Sequence, residues 1–121
     1  MASQFIVDVS VSNRPTAGAT FPSAATELTY QKTSSAPEVV TFTRELSAAV
    51  GESLLPASMT KVYNLVVRVS GGSITLALTS PGGSAAVIPC DSVFVLGTGT
   101  SWLTGVAVSG TANIEVMVAG E

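Results

Sequence analysis

The stretch VYNLVVRVSGGSITLALT, residues 62–79, decides how the rest of the chain is read. Apolar residues recur at every second position on both sides of Gly71-Gly72. Tyr63, Leu65, Val67 and Val69 come before the pair, Ile74, Leu76 and Leu78 after it. Successive side chains of a strand point to opposite faces, so this period marks half-buried β-structure. Asn64 and Arg68 take the other face of the first run, Thr75, Ala77 and Thr79 that of the second. A glycine pair between two such runs has the spacing of a two-residue hairpin, whose turn needs positive φ. The expectation is a reversal at Gly71-Gly72.

The same alternation extends outward. Phe5, Val7, Val9 and Val11 share one face near the start, and Ile114, Val116 and Val118 alternate with Asn113, Glu115 and Met117 near the end. Pro81-Gly82-Gly83, Gly97-Thr98-Gly99 and Ser109-Gly110-Thr111 read as further reversals. Strand starts near 62, 74, 85, 93, 102 and 112 then recur every ~8–12 residues, the cadence of an antiparallel sandwich or barrel. Glu27–Thr33 and Val39–Thr43 are plausible strands. Arg44–Val50 allows at most two helical turns, with Thr43 as N-cap and Gly51 as the stop.

These signals predict an all-β fold, a single antiparallel β-sandwich of about eight strands, jelly-roll or immunoglobulin-like, over residues 1–121. The immunoglobulin cysteine pair is missing. Residues 13–23, rich in Pro, Gly, Ser and Thr without periodicity, read as an extended arm or a loop.

Charge is scarce rather than biased. Five Lys/Arg and eight Asp/Glu make 11 % charged residues, against about 25 % in ordinary domains. All five bases precede position 69, and no basic stripe for nucleic acid can be assembled. No run approaches the ~20 apolar residues of a membrane-spanning helix, so neither nucleic acid nor membrane is an expected partner. MASQFIVDVSV has no basic region ahead of an apolar core, which predicts no secretory signal. Cys90, the single cysteine, is expected as a small packed side chain in the Pro89-Cys90 corner.

The chemistry-bearing residues point away from catalysis. With no histidine, Ser-His-Asp and Cys-His arrangements and most zinc sites are excluded. Ser58-Met59-Thr60-Lys61 matches the Ser-x-x-Lys nucleophile pattern, which needs both residues on a helix, whereas Lys61 opens a strand. Gly97-Thr98-Gly99-Thr100-Ser101 lacks the lysine and helix of a phosphate loop. The expectation is a non-enzyme with no cofactor and no metal. Three residues are candidate contacts with other protein. Arg14 and Phe21 lie in the arm, with Phe21 as its anchor, and Trp102 is the only tryptophan.

In the second half of the chain, Val66-Val67-Arg68-Val69-Ser70-Gly71-Gly72-Ser73-Ile74-Thr75-Leu76, Val93–Leu96, Ser101–Val108 and the closing Ala112–Gly120 form a Ser-Gly turn followed by a terminal meander. In these stretches the chain resembles small virion structural proteins of tailed bacteriophages. The resemblance implies a capsid decoration or cement protein, assembled in the host cytoplasm, residing in the virion and acting as a homo-oligomer on the major capsid protein. A tail or baseplate component is the alternative within that class. A carbohydrate-binding or host-adhesion module, with Trp102 as a stacking platform, is the alternative outside it.

Overall fold

The computed structural model describes residues 3–13, 26–36, 38–97 and 101–121, and among these there is no helix. The described residues form seven strands in two antiparallel sheets. β1 (Ser3–Asn13) and β2 (Thr26–Ala36) pair as a two-stranded ribbon. β3 (Glu38–Ser53), β4 (Val62–Thr79), β5 (Ala85–Cys90), β6 (Val93–Gly97) and β7 (Gly105–Gly120) form the second sheet. Its order is β3-β7-β4-β5, with β6 also on β4. The count is seven rather than about eight, and Arg44–Val50 lies within β3 rather than in a helical turn.

The reason for the shorter count is in the opening stretch. Gly71-Gly72 is not a hairpin. β4 runs through it and stays paired with β7 on both sides, Ser70 opposite Asn113 and Ser73 opposite Thr111. Both glycines therefore face the single residue Ala112, which is a β-bulge. Ser109-Gly110-Thr111 is not a reversal either, because it lies inside β7. β3 slips register twice at the same level, between Leu46 and Ala49 and between Ala49 and Glu52. Positive φ, which a hairpin would have used, is spent on these irregularities instead: Ala48 (53°), Gly51 (58°), Gly71 (71°) and Gly110 (130°).

A bulge takes an amide out of the ladder, and hydroxyls of β7 take up two of them. Thr111 Oγ1 accepts from the Ala48 N–H and Ser109 Oγ from the Gly51 N–H, each at 2.9 Å. Serine and threonine, which suggested a turn, are here the partners of bulged backbone.

A line of bulges across β3, β7 and β4 folds the sheet over. Val62 and Leu103 exchange both backbone hydrogen bonds at 2.9 Å, and the next residue, Thr104, donates to the Thr79 carbonyl at 2.8 Å. Val62 and Thr79 would stand roughly 56 Å apart in a straight strand. Joined through two adjacent residues, they lie within about 15 Å. β3 doubles back as well: Arg44 Nη1 reaches Glu52 Oε1 at 3.3 Å and donates to the Ser53 carbonyl at 3.2 Å. The guanidinium also stacks 4.9 Å from the centre of the Phe42 ring.

Among the described residues, the main hydrophobic core lies inside the folded-over second sheet. Leu65, Val67 and Val69 from one half of β4 join Ile74, Leu76 and Leu78 from the other, with Val106, Val108, Ile114, Val116 and Val118 of β7. Each fully buried side chain of this kind contributes roughly 1.5–3 kcal/mol. Phe42, Phe94 and Cys90 pack against this core while remaining partly exposed. The first residues of β4 depart from the expected alternation: Val62 and Asn64 are buried and Tyr63 is half-buried. A register shift between Val62 and Asn64 causes this.

β5 and β6 occupy successive positions along one side of β4, interrupted at Asp91-Ser92. The Ser92 carbonyl keeps the pairing going by accepting from Val69 N–H at 2.7 Å. The Pro81-Gly82-Gly83 reversal is present as expected, closed by Gly83 N–H to the Ser80 carbonyl at 2.9 Å.

Candidate functional site

Arg14 and Phe21 lie outside the described residues. Trp102 is described and sits half-buried at the junction where the end of β7 meets the start of β4. No strand begins there, contrary to expectation. Leu103 makes an isolated bridge to Val62, and β7 starts at Gly105.

Glu121 organises this junction. Its carbonyl accepts from the N–H groups of Thr60 and Lys61, each at 2.8 Å, and its own N–H donates to the Lys61 carbonyl at 2.9 Å. Its carboxylate accepts from the Tyr63 hydroxyl at 3.1 Å and pairs with Lys61 Nζ at 3.3 Å. The Lys61 ammonium in turn stands 4.8 Å from the centre of the Trp102 ring. A cation already occupies that ring face, so a sugar would have to displace it to stack there. The other member of the Ser-x-x-Lys pattern, Ser58, donates to Glu38 at 3.0 Å. Serine and lysine thus engage different carboxylates, and neither lies on a helix.

The junction has a titration signature. Partial burial, then the hydrogen bond to Glu121 and its negative charge, hold the Tyr63 phenol above its ordinary value, with Lys61 opposing. A raised value favours the neutral phenol in the folded state. That contribution is complete below the ordinary tyrosine pKa near 10 and is lost as pH climbs through the folded value. Ultraviolet titration of the folded protein should show a late-ionising phenol that disappears in Tyr63→Phe. Identical late titration in both proteins would show that the signal belongs elsewhere.

The broader feature is the outward face of the sheet. With Ile74, Leu76 and Leu78 directed into the core, Thr75, Ala77 and Thr79 take the opposite side. Pairing sets Thr75 beside Pro89 and Ser109, Ala77 beside Val87 and Ala107, and Thr79 beside Ala85 and Gly105. No charged residue belongs to this face. Asp91, at its border, is the only charge between Val69 and Ile114. Val87, near its middle, is 67 % exposed.

The other half of the sheet is different. Its outward side mixes Val66, Val95 and Met117 with an exposed Arg68–Glu115 pair at 3.6 Å. Beside it lies an open depression of about 290 Å³ lined by Thr43, Arg44, Glu45, Ser70, Asn113, Ile114 and Glu115. Among the described residues, no three His, Cys, Asp or Glu side chains cluster as a metal site. Scarce charge is legible in the sequence, but not which face of the sheet it leaves charge-free. The signal for that face was the 22-residue run without charge from Val69 to Cys90, whose alternate residues come to share one side.

Comparison with protein-family models, with curated proteins and with solved structures finds no match to this chain.

Proposed function

We propose that this chain is a structural virion protein, a decoration or cement protein that stabilises a bacteriophage head by non-covalent contacts with the major capsid protein. The folded-over sheet is then a β-sandwich, used as a rigid plate and not as an enzyme. The observation that carries this reading is the charge-free outward face of β5, β4 and β7. A free surface is ordinarily about a quarter to a third charged for solubility, and charge is depleted where protein covers protein. Repetition of modest contacts over a capsid lattice would supply the affinity through avidity.

Co-sedimentation tests it. The protein should travel with DNA-filled heads at a copy number comparable to the major capsid protein. Recovery with tails alone, or at a few copies per particle, would replace the head by a tail or baseplate location. Binding on a glycan array that is lost in Trp102→Ala would favour adhesion instead.

A further inference from the structure

The edges of the second sheet are not equally protected. β3 carries Glu38, Arg44, Glu45 and Glu52 together with two register shifts, and β5 carries Pro89. Charges, bulges and proline are ordinary protections against strand-to-strand association. β6, Val93-Phe94-Val95-Leu96-Gly97, has no charge, no proline and an unbroken register with β4. Among the described residues it pairs with β4 alone. Shortness is the one protection it keeps.

One hydrogen bond fixes where its free backbone groups point. The Val69 N–H donates at 2.7 Å to the carbonyl of Ser92, the residue before β6. Hydrogen-bonded and non-hydrogen-bonded pairs alternate along an antiparallel ladder. Phe94 and Leu96 therefore bond to Val67 and Leu65, while Val93, Val95 and Gly97 turn their N–H and C=O groups away from β4. Side chains alternate as well. Phe94 and Leu96 are half-buried against the core, whereas Val93 and Val95 are outward, 56 % and 44 % exposed.

We infer that two copies of this chain pair β6 with β6, antiparallel about a two-fold axis through Val95, joining their second sheets into one. Free backbone groups meet only when Val93, Val95 and Gly97 of one copy face those of the other. With the axis at Val95, Val95 meets Val95 and Val93 meets Gly97 twice, making six hydrogen bonds, two for each of three pairs. An axis one residue to either side keeps two such pairs within β6, and so only four bonds.

The same register sorts the side chains. Phe94 of each copy comes opposite Leu96 of the other on the core side, which covers the open flank of both. On the outward side Met117, Val66 and Val95 already stand in one row, and the second copy continues it in reverse order. A foreign strand would have to reproduce this charge-free alternation; a second copy supplies it by symmetry.

Size sets the strength. Five residues run about 17 Å, and an edge contact of that length buries well under the roughly 1,200 Å² of a standard interface. The dimer is therefore weak, with a dissociation constant on the order of 0.1–1 mM.

Amide hydrogen exchange and sedimentation velocity on the full chain, from micromolar to millimolar concentration, test this. Protection of the Val93, Val95 and Gly97 amides should rise with concentration, while Phe94 and Leu96 stay protected throughout by β4. Val95→Pro removes an N–H that β4 does not use and sets a ring on the two-fold axis. It should keep the fold by circular dichroism and weaken the dimer by about tenfold or more. Phe94→Pro removes a bond to β4 and should instead lower the melting temperature. Concentration-independent exchange of the three amides overturns the inference, as does a wild type that is monomeric at millimolar concentration. So does a dimer insensitive to Val95→Pro, or equal stability of the two proline variants, which would reverse the alternation. Should Val95→Pro fail to fold, the three amides decide. No capsid takes part in these measurements, so this inference and the proposed function fail separately.

Discussion

Gly72→Ala is expected to destabilise the protein by about 3 kcal/mol or more, among the largest effects available to a single methyl group. A Cβ at this position would collide with the Thr111 carbonyl and crowd the Ala112 Cα, both of them backbone atoms that cannot swing aside. The collision falls on the bulge where β4 bends against β7. Relief requires the two strands to separate at the turn of the whole sheet. For a domain of this size the loss corresponds to a fall in melting temperature of roughly 12 °C or more. Gly71→Ala is the matched control. There the added atom meets only the Asn113 side chain at 3.6 Å, so the cost is the strain of φ +71°, about 1 kcal/mol. Equal losses at the two glycines would mean that the close approach is not what holds the bend.

Leu76→Ala is expected to cost about 2–5 kcal/mol, read as a shift in the denaturant midpoint at unchanged slope. Leu76 is fully buried, between Ile88 of β5 and Val108 of β7 in register. The interior at this point is shared by both halves of the folded sheet, so no single loop can collapse to fill the cavity. The half-buried, outward-facing Ala77 next to it in sequence should tolerate serine with a smaller loss, below about 1 kcal/mol. A small effect at Leu76 would place it outside a packed core.

The strands were legible because alternation is a local property. Leu65, Val67 and Val69, then Ile74, Leu76 and Leu78, are buried as their spacing demands. What the glycines do was not legible. A hairpin and a bulge both call for positive φ, and Gly71-Gly72 satisfies either. The choice is made by β7, whose Thr111 and Ala112 lie some forty residues away and pair across the glycines. Ser109-Gly110-Thr111 misleads for the same reason, since hydroxyls that end strands elsewhere here cap the bulged amides of Ala48 and Gly51. Closure of the fold rests on Leu103 and Thr104 meeting opposite ends of β4, a long-range event without a local pattern.

The candidate surfaces follow the same division. Trp102 was visible as the lone tryptophan, but not Lys61 over its ring or Glu121 behind it, since folding brings all three together. The absence of charge was visible as composition. Its concentration on one face depends on the bend, which turns Ile74, Leu76 and Leu78 inward and leaves Thr75, Ala77 and Thr79 outside.

The proposed function therefore stands on β4 being one strand folded over a bulge. Cross-strand Hα–Hα and amide contacts by nuclear magnetic resonance test that most directly. A continuous β4 predicts backbone contacts from Val69 to Ile114 and from Ile74 to Gly110, on either side of the glycines. Direct backbone pairing of Val69 with Ile74 would restore the hairpin and contradict the account.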